Sequence, residues 1–186
     1  MLILSIPKMV VSSQAGWTSL KKRHPTLLSV FMRLALPLSL LPPVMLAYVG
    51  PHYGNMFVDG LGSKNWVEIS LAFFIAEMTT LLFMGWFIKQ VADTYRARVS
   101  TQDAYILACI APVPLWLSSL ALFVPSLAFN IGIAFVALGA TLSLIYHGIH
   151  AICHARDALS ATAIAQTVMG AGMAGWAVLL TLLLAA

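Results

Sequence analysis

The sequence predicts an all-α integral membrane protein, a bundle of five transmembrane helices with its N-terminus cytoplasmic and its C-terminus outside. Three observations carry this prediction. The 186 residues are 61% hydrophobic and 9% charged, with mean hydropathy +0.93. Soluble domains carry about 25% charged residues, and a soluble chain of this length could not hide so much apolar surface. Lipid is the solvent that removes the conflict. Second, five apolar runs reach the roughly 20 residues that a spanning helix needs. Third, the runs are continuously apolar and lack period-two alternation, and five is a poor strand count for a barrel.

The runs follow in order. Residues 1–25 are expected to be a short cytoplasmic tail, partly disordered. The start "MLILSIPKMVV" lacks the basic n-region of a secretory signal. The domain proper is expected over 26–186. Span one, 28–50, carries Pro37, Pro42 and Pro43. Span two, 66–88, is apolar around a carboxylate at its middle, Glu77. Span three, 104–124, carries Pro112 and Pro114, with Pro125 at its exit. Proline deletes a backbone hydrogen bond and kinks a helix, so Pro37, Pro42, Pro43, Pro112 and Pro114 are candidate helix breaks. They either line a site, as in the discontinuous helices of transporters, or are satisfied by neighbouring helices. Span four, 127–150, leads into "IYHGIHAICHARD". Span five, 161–185, contains "GAGMAGW". There Gly170 and Ala174, and Ala171 and Gly175, sit four apart, a spacing that lets helix backbones approach closely. The seam serves packing within the chain or a homodimer.

Orientation follows from the basic residues. Lys8, Lys21, Lys22, Arg23, Arg33, Lys89, Arg96, Arg98 and Arg156 fall on one side, and Lys64 alone on the other. Such an excess marks the cytoplasmic side. The net charge of +4 is therefore read as membrane orientation, not as nucleic-acid binding. Lys21, Lys22, Arg23, Arg96 and Arg98 are expected to meet anionic headgroups, with a protein docking site as the other use of the same charges. Cys109 and Cys153 lie in or beside apolar runs and supply no disulfide framework.

Glu77 lies eleven residues from either end of span two, close to the bilayer midplane. A charge there costs about 2.5–3.5 kcal/mol on insertion scales, so the carboxyl is expected to take up a proton or to face the bundle interior and find donors. Thr80, Ser118 and Ser119 complete the candidate intramembrane polar site, and Thr141 and Ser143 are further possible donors. The group is either a proton or cation relay or a hydrogen-bonded packing residue. His147, His150 and His154 share a helix face about 60° wide and are weak metal candidates. The first and last stand about 10.5 Å apart along the axis, so only neighbouring pairs suit one ion. Interfacial histidines at a helix C-terminus are the plainer reading. No serine elbow, phosphate loop, metalloprotease helix or carboxylate pair is present, so no catalytic residue, enzymatic activity or cofactor is expected.

The proline-rich "LALPLSLLPPVMLAYVG", the "DAYILACIAPVPLWLSSL" entry to span three after a basic loop, the short "FVPSL" hairpin and "GATLSLIYHGIHAI" together resemble the Yip family of five-span membrane proteins, specifically its small bacterial branch. Tyr105, Ala111, Pro112 and Pro114, with Tyr146 and Gly148, carry most of the resemblance. It covers about residues 28–185. It implies a multi-pass protein of the cytoplasmic (inner) membrane that organises or recruits membrane or cytoplasmic partners without catalysis. The eukaryotic relatives associate with Rab-type GTPases through longer N-terminal regions. The alternative is a small proton- or cation-linked transporter or channel with Glu77 in its path.

Overall fold

A computed structural model describes residues 16–17, 25–57, 60–153 and 158–185. Among them the chain is helical, without strands, and five helices are long and apolar enough to cross a membrane. We label these α1 (Leu27–Met56), α2 (Trp66–Thr94), α3 (Thr101–Phe123), α4 (Leu127–Ile152) and α5, whose helix runs Ala158–Ala185.

The starts of four helices are set by side chains that accept otherwise unpaired backbone N–H groups. Thr26 Oγ1 accepts from Ser29 at α1, Asn65 Oδ1 from Glu68 at α2, Ser100 Oγ from Asp103 at α3 and Ser126 Oγ from Phe129 at α4. The two proline-rich spans are assembled from pieces. In α1, Leu27–Val30, a wide turn at Phe31–Ala35 and Leu36–Ser39 precede the longer helix Leu41–Phe57. Pro37, Pro42 and Pro43 lie in the first turns of their pieces, where a missing N–H is not needed. In α3, Thr101–Ile110 gives way at Ala111–Pro112 to Val113–Ser118 and a tighter turn through Phe123. Pro112 caps the second piece and Pro114 sits in its first turn.

Two boundaries differ from the sequence expectation. The first span was expected to end at Gly50, yet the helix passes through Pro51 to Phe57. The end of this helix is held by Asn55, whose Oδ1 accepts the Gly62 N–H at 2.8 Å. The second span continues six residues beyond Ile88 to Thr94, because Lys89, Gln90, Asp93 and Thr94 suit a helix leaving the apolar layer. There Lys89 Nζ pairs with Asp93 one turn on.

Packing is uneven along the bundle. The core gathers Val30 and Leu34 of α1, Ile88 and Val91 of α2, Leu107 and Ile110 of α3, Ile149 and Ile152 of α4, and Ile164 of α5. These residues lie toward the end that carries Arg33, Lys89, Arg96 and Arg98, here called the basic end. Two glycines bring α3 close to its neighbours. A side chain at Gly85 would stand 2.3 Å from the Tyr105 ring, and one at Gly148 would stand 2.5 Å from Leu107 and 2.8 Å from Trp17. Trp17, within the segment expected to be a tail, is 1% exposed and packs inside the bundle. Large apolar side chains such as Leu82, Phe135 and Val136 face outward, which is the arrangement lipid demands.

Candidate functional site

The α2 residues Trp66, Ile69, Ser70, Glu77, Leu81, Gly85, Ile88 and Ala92 are buried. From Glu77 to Ala92 they recur every three to four residues, two turns on from Ser70, and form one inward stripe. Glu77 belongs to that stripe, so its carboxyl faces the bundle interior. It is 8% exposed. The donor that meets it is Trp116, whose Nε1–H donates to Glu77 Oε1. Trp116 is itself 2% exposed, and it reaches Glu77 from the short helix that Pro112 opens. The break in α3 thereby starts a second helical piece whose phase carries the indole inward.

The four residues of the expected polar site, Glu77, Thr80, Ser118 and Ser119, all line one cavity of about 600 Å³ between α2, α3, α4 and α5, with Pro42 and Pro112 also in its wall. The hydroxyls do not serve the carboxyl, however. Thr80 donates to the Ala76 carbonyl at 2.8 Å, Ser118 to Leu115 at 2.7 Å and Ser119 to Trp116 at 2.7 Å. Each returns its proton to the preceding turn of its own helix, the usual habit of hydroxyls in apolar helices. Glu77 Oε2 is buried without a hydrogen-bond partner, as is Thr141 Oγ1 on the facing α4. Ser143, the other possible donor, meets His147 Nδ1 at 3.2 Å. Trp116 escaped the sequence reading. The available signal was the indole itself, since a buried tryptophan N–H needs an acceptor and Glu77 is the strongest one among the spans.

The histidines are spent locally. His147 Nδ1 lies 2.9 Å from the Ser143 carbonyl, and His150 Nδ1 lies 2.8 Å from that of Tyr146. His150 Nε2 faces Thr162 Oγ1 at 3.4 Å. Among the described residues no group of three His, Cys, Asp or Glu side chains is placed to hold a metal. His154, Lys21, Lys22 and Arg23 lie outside the described residues.

The expected seam on α5 divides between two faces. A side chain at Gly175 would meet Thr80 of α2 at 3.2 Å, whereas Gly170 has open space around it and Ala174 is exposed. Ala171 is half-buried between them.

At the basic end the α2–α3 connection is rigidly built. The Arg96 N–H donates to Asp93 and the Ala97 N–H to Ala92, both at 2.9 Å, which closes the helix as a Schellman motif. Arg96 occupies its left-handed position, φ 53°, where glycine is the usual residue. Ala97 and Val99 then turn into the core, while Arg96 and Arg98 stay exposed. Ser100 accepts the Asp103 N–H and donates to its carboxylate at 2.6 Å. Gln102 ties the start of α3 to the Pro25 carbonyl at 2.9 Å.

Five membrane-spanning helices, two of them broken at prolines around an apolar cavity, define a multi-pass membrane protein. Within that class the chain belongs to the Yip1 family, because residues 8–179 match the Yip1 domain. No curated protein and no solved structure matches the chain.

Proposed function

We propose that this chain is a non-enzymatic membrane organiser that recruits partners at the cytoplasmic face of the inner membrane, with the α2–α3 connection as its recruiting edge. The observation that carries the reading is Arg96 in the left-handed conformation, a strained position for any residue with a side chain. Strain held in place by surrounding structure is a pointer to function. Here the strain sets Arg96 and Arg98 outward while the buried Ala97 and Val99 anchor the connection. A preorganised pair of guanidinium groups suits carboxylates or phosphates of an acidic partner, because arginine meets both through two parallel hydrogen bonds. The excess of Lys and Arg at this end supports a cytoplasmic orientation.

The test is proximity labelling from a tag on the protein in its native membrane, comparing wild type with the double substitution Arg96→Gln, Arg98→Gln. The expected result is loss of the enriched neighbours at equal protein level and equal thermal stability. An unchanged neighbour set would overturn the reading.

A second reading, a proton- or cation-linked transporter, rests on Glu77 lining the cavity. It ranks below the first because the hydroxyls of Thr80, Ser118 and Ser119 are engaged with their own helices and the remaining wall is chiefly hydrocarbon. Dissipation of a pH gradient in proteoliposomes that vanishes on Glu77→Gln would put it first.

A further inference from the structure

The cavity presents a chemical asymmetry. Its wall is aliphatic and aromatic apart from six polar residues, Glu77, Thr80, Ser118, Ser119, Asn130 and Thr141. Three of these hydroxyls are engaged by helix carbonyls, as described above. The Asn130 amide nitrogen donates to the carbonyls of Val124 and Ser126, both at 2.9 Å. The polar atoms left over are Glu77 Oε2, Thr141 Oγ1 and Asn130 Oδ1, each buried and without a partner. All three are oxygens able to accept a hydrogen bond. A buried acceptor without a donor is unfavourable, so a molecule filling this space gains most by bringing donors.

The route in is set by the helices. α4 and α5 touch where Gly172 faces Ile145. Toward the end opposite the basic one the cavity is walled by Ile131 and Phe135 of α4 and Leu180 of α5. Phe135 is 65% exposed and Ile131 48% exposed on the outer surface. The cavity wall is thus continuous with the face that meets lipid. Its volume of about 600 Å³ lies within the roughly 300–1,000 Å³ of small-molecule sites. Glu77 and Thr141 lie near the middle of their helices, at the depth where a permanently charged head is disfavoured.

We propose that this cavity binds an uncharged lipophile with a hydroxyl head, which enters from the bilayer between α4 and α5, places the hydroxyl at the mid-depth Glu77 and Thr141, and runs its chain past the first turn of α4 toward the lipid. This site does not depend on the recruiting edge proposed above, and either can stand without the other.

A photoactivatable diazirine analogue of 1-hexadecanol, used on the full chain in nanodiscs, tests it. Crosslinks are expected on peptides that contain cavity residues of α2 to α5. Unlabelled 1-hexadecanol should reduce labelling at least fivefold, and its methyl ether and hexadecanoic acid should not. Ala134→Trp, which fills the cavity from α4, should reduce labelling about tenfold. Thr141→Val, nearly isosteric and free of that hazard to folding, should narrow the preference for alcohol over ether to less than twofold. Labelling confined to lipid-facing residues outside the cavity would overturn the site. Equal competition by the ether would overturn the hydroxyl head, as would an undiminished preference in Thr141→Val.

Discussion

The two halves of this bundle are built on different terms. At the basic end five helices and Trp17 close on one another, and glycines at 85 and 148 remove side chains so that Tyr105, Leu107 and Trp17 can fill the space. Beyond it, from Ile88 toward the other end, the helices surround about 600 Å³ that their own side chains leave open. What differs is complementarity at the centre: Gly85 with Tyr105 and Gly148 with Leu107 and Trp17 close the basic end, whereas at the other end the close approach of Gly50 to Trp66 leaves the space between α2, α3, α4 and α5 unfilled. Stability is therefore expected to concentrate at the basic end, and access at the other.

The sharpest way to break this comparison is a pair of enlargements. Gly85→Leu must displace the Tyr105 ring and is expected to cost about 3 kcal/mol, the upper range for overpacking a closed core. Ala134→Leu adds bulk where space exists and is expected to change stability by less than about 0.5 kcal/mol. Thermal unfolding in detergent reads both, and equal losses would dissolve the distinction between the halves. Next in size is the polar link where the halves meet. Trp116→Phe leaves the Glu77 carboxyl buried with neither oxygen paired and is expected to cost about 2 kcal/mol. Combining it with Glu77→Leu should recover part of that loss, a coupling that a double-mutant cycle measures directly. Simple additivity would mean that the pair contributes nothing jointly. A smaller effect is expected from Val99→Ala, about 1 kcal/mol for one shortened core side chain. Faster hydrogen exchange should then appear in residues 95–100, and unchanged protection there would deny Val99 its anchoring role. Smallest is Arg96→Gly, expected to stabilise by about 0.5 kcal/mol because glycine accepts the left-handed backbone freely. A loss of stability would show that the Arg96 side chain supports the fold as well as facing solvent.

Much of the fold was legible because hydropathy is a property of each segment alone. Five spans appear in the sequence as five runs, and Glu77 stands out as the carboxylate at the middle of one of them. The inward direction of Glu77 was also within reach, since the apolar stripe of α2 has it in phase. Its partner was harder to see. Thr80, Ser118 and Ser119 looked suitable by type and depth, but a hydroxyl in a helix has an acceptor one turn back and takes it. Trp116 became the donor through the break at Pro112, which resets the helical phase, and sequence spacing across a break does not carry phase. The small residues of α5 divide between two faces for a related reason: which of them meets a neighbour depends on where α2 lies, and Thr80 settles that for Gly175 alone. Trp17 gave no periodic signal at all, standing singly in a polar stretch, and its burial follows from the space that Gly148 leaves.

The cavity between α4 and α5 has a mechanical consequence. Close-packed protein is nearly incompressible, so a molecule that is filled at one end and hollow at the other yields to force unevenly. Hydrostatic pressure favours states that eliminate void volume, and here the void begins at Ile88 and extends away from the basic end. Squeezing the membrane should therefore draw together the ends of α4 and α5 that lie away from the basic end, while the basic end holds its shape. The bundle would act as a pair of tongs whose pivot is the contact of Gly172 with Ile145.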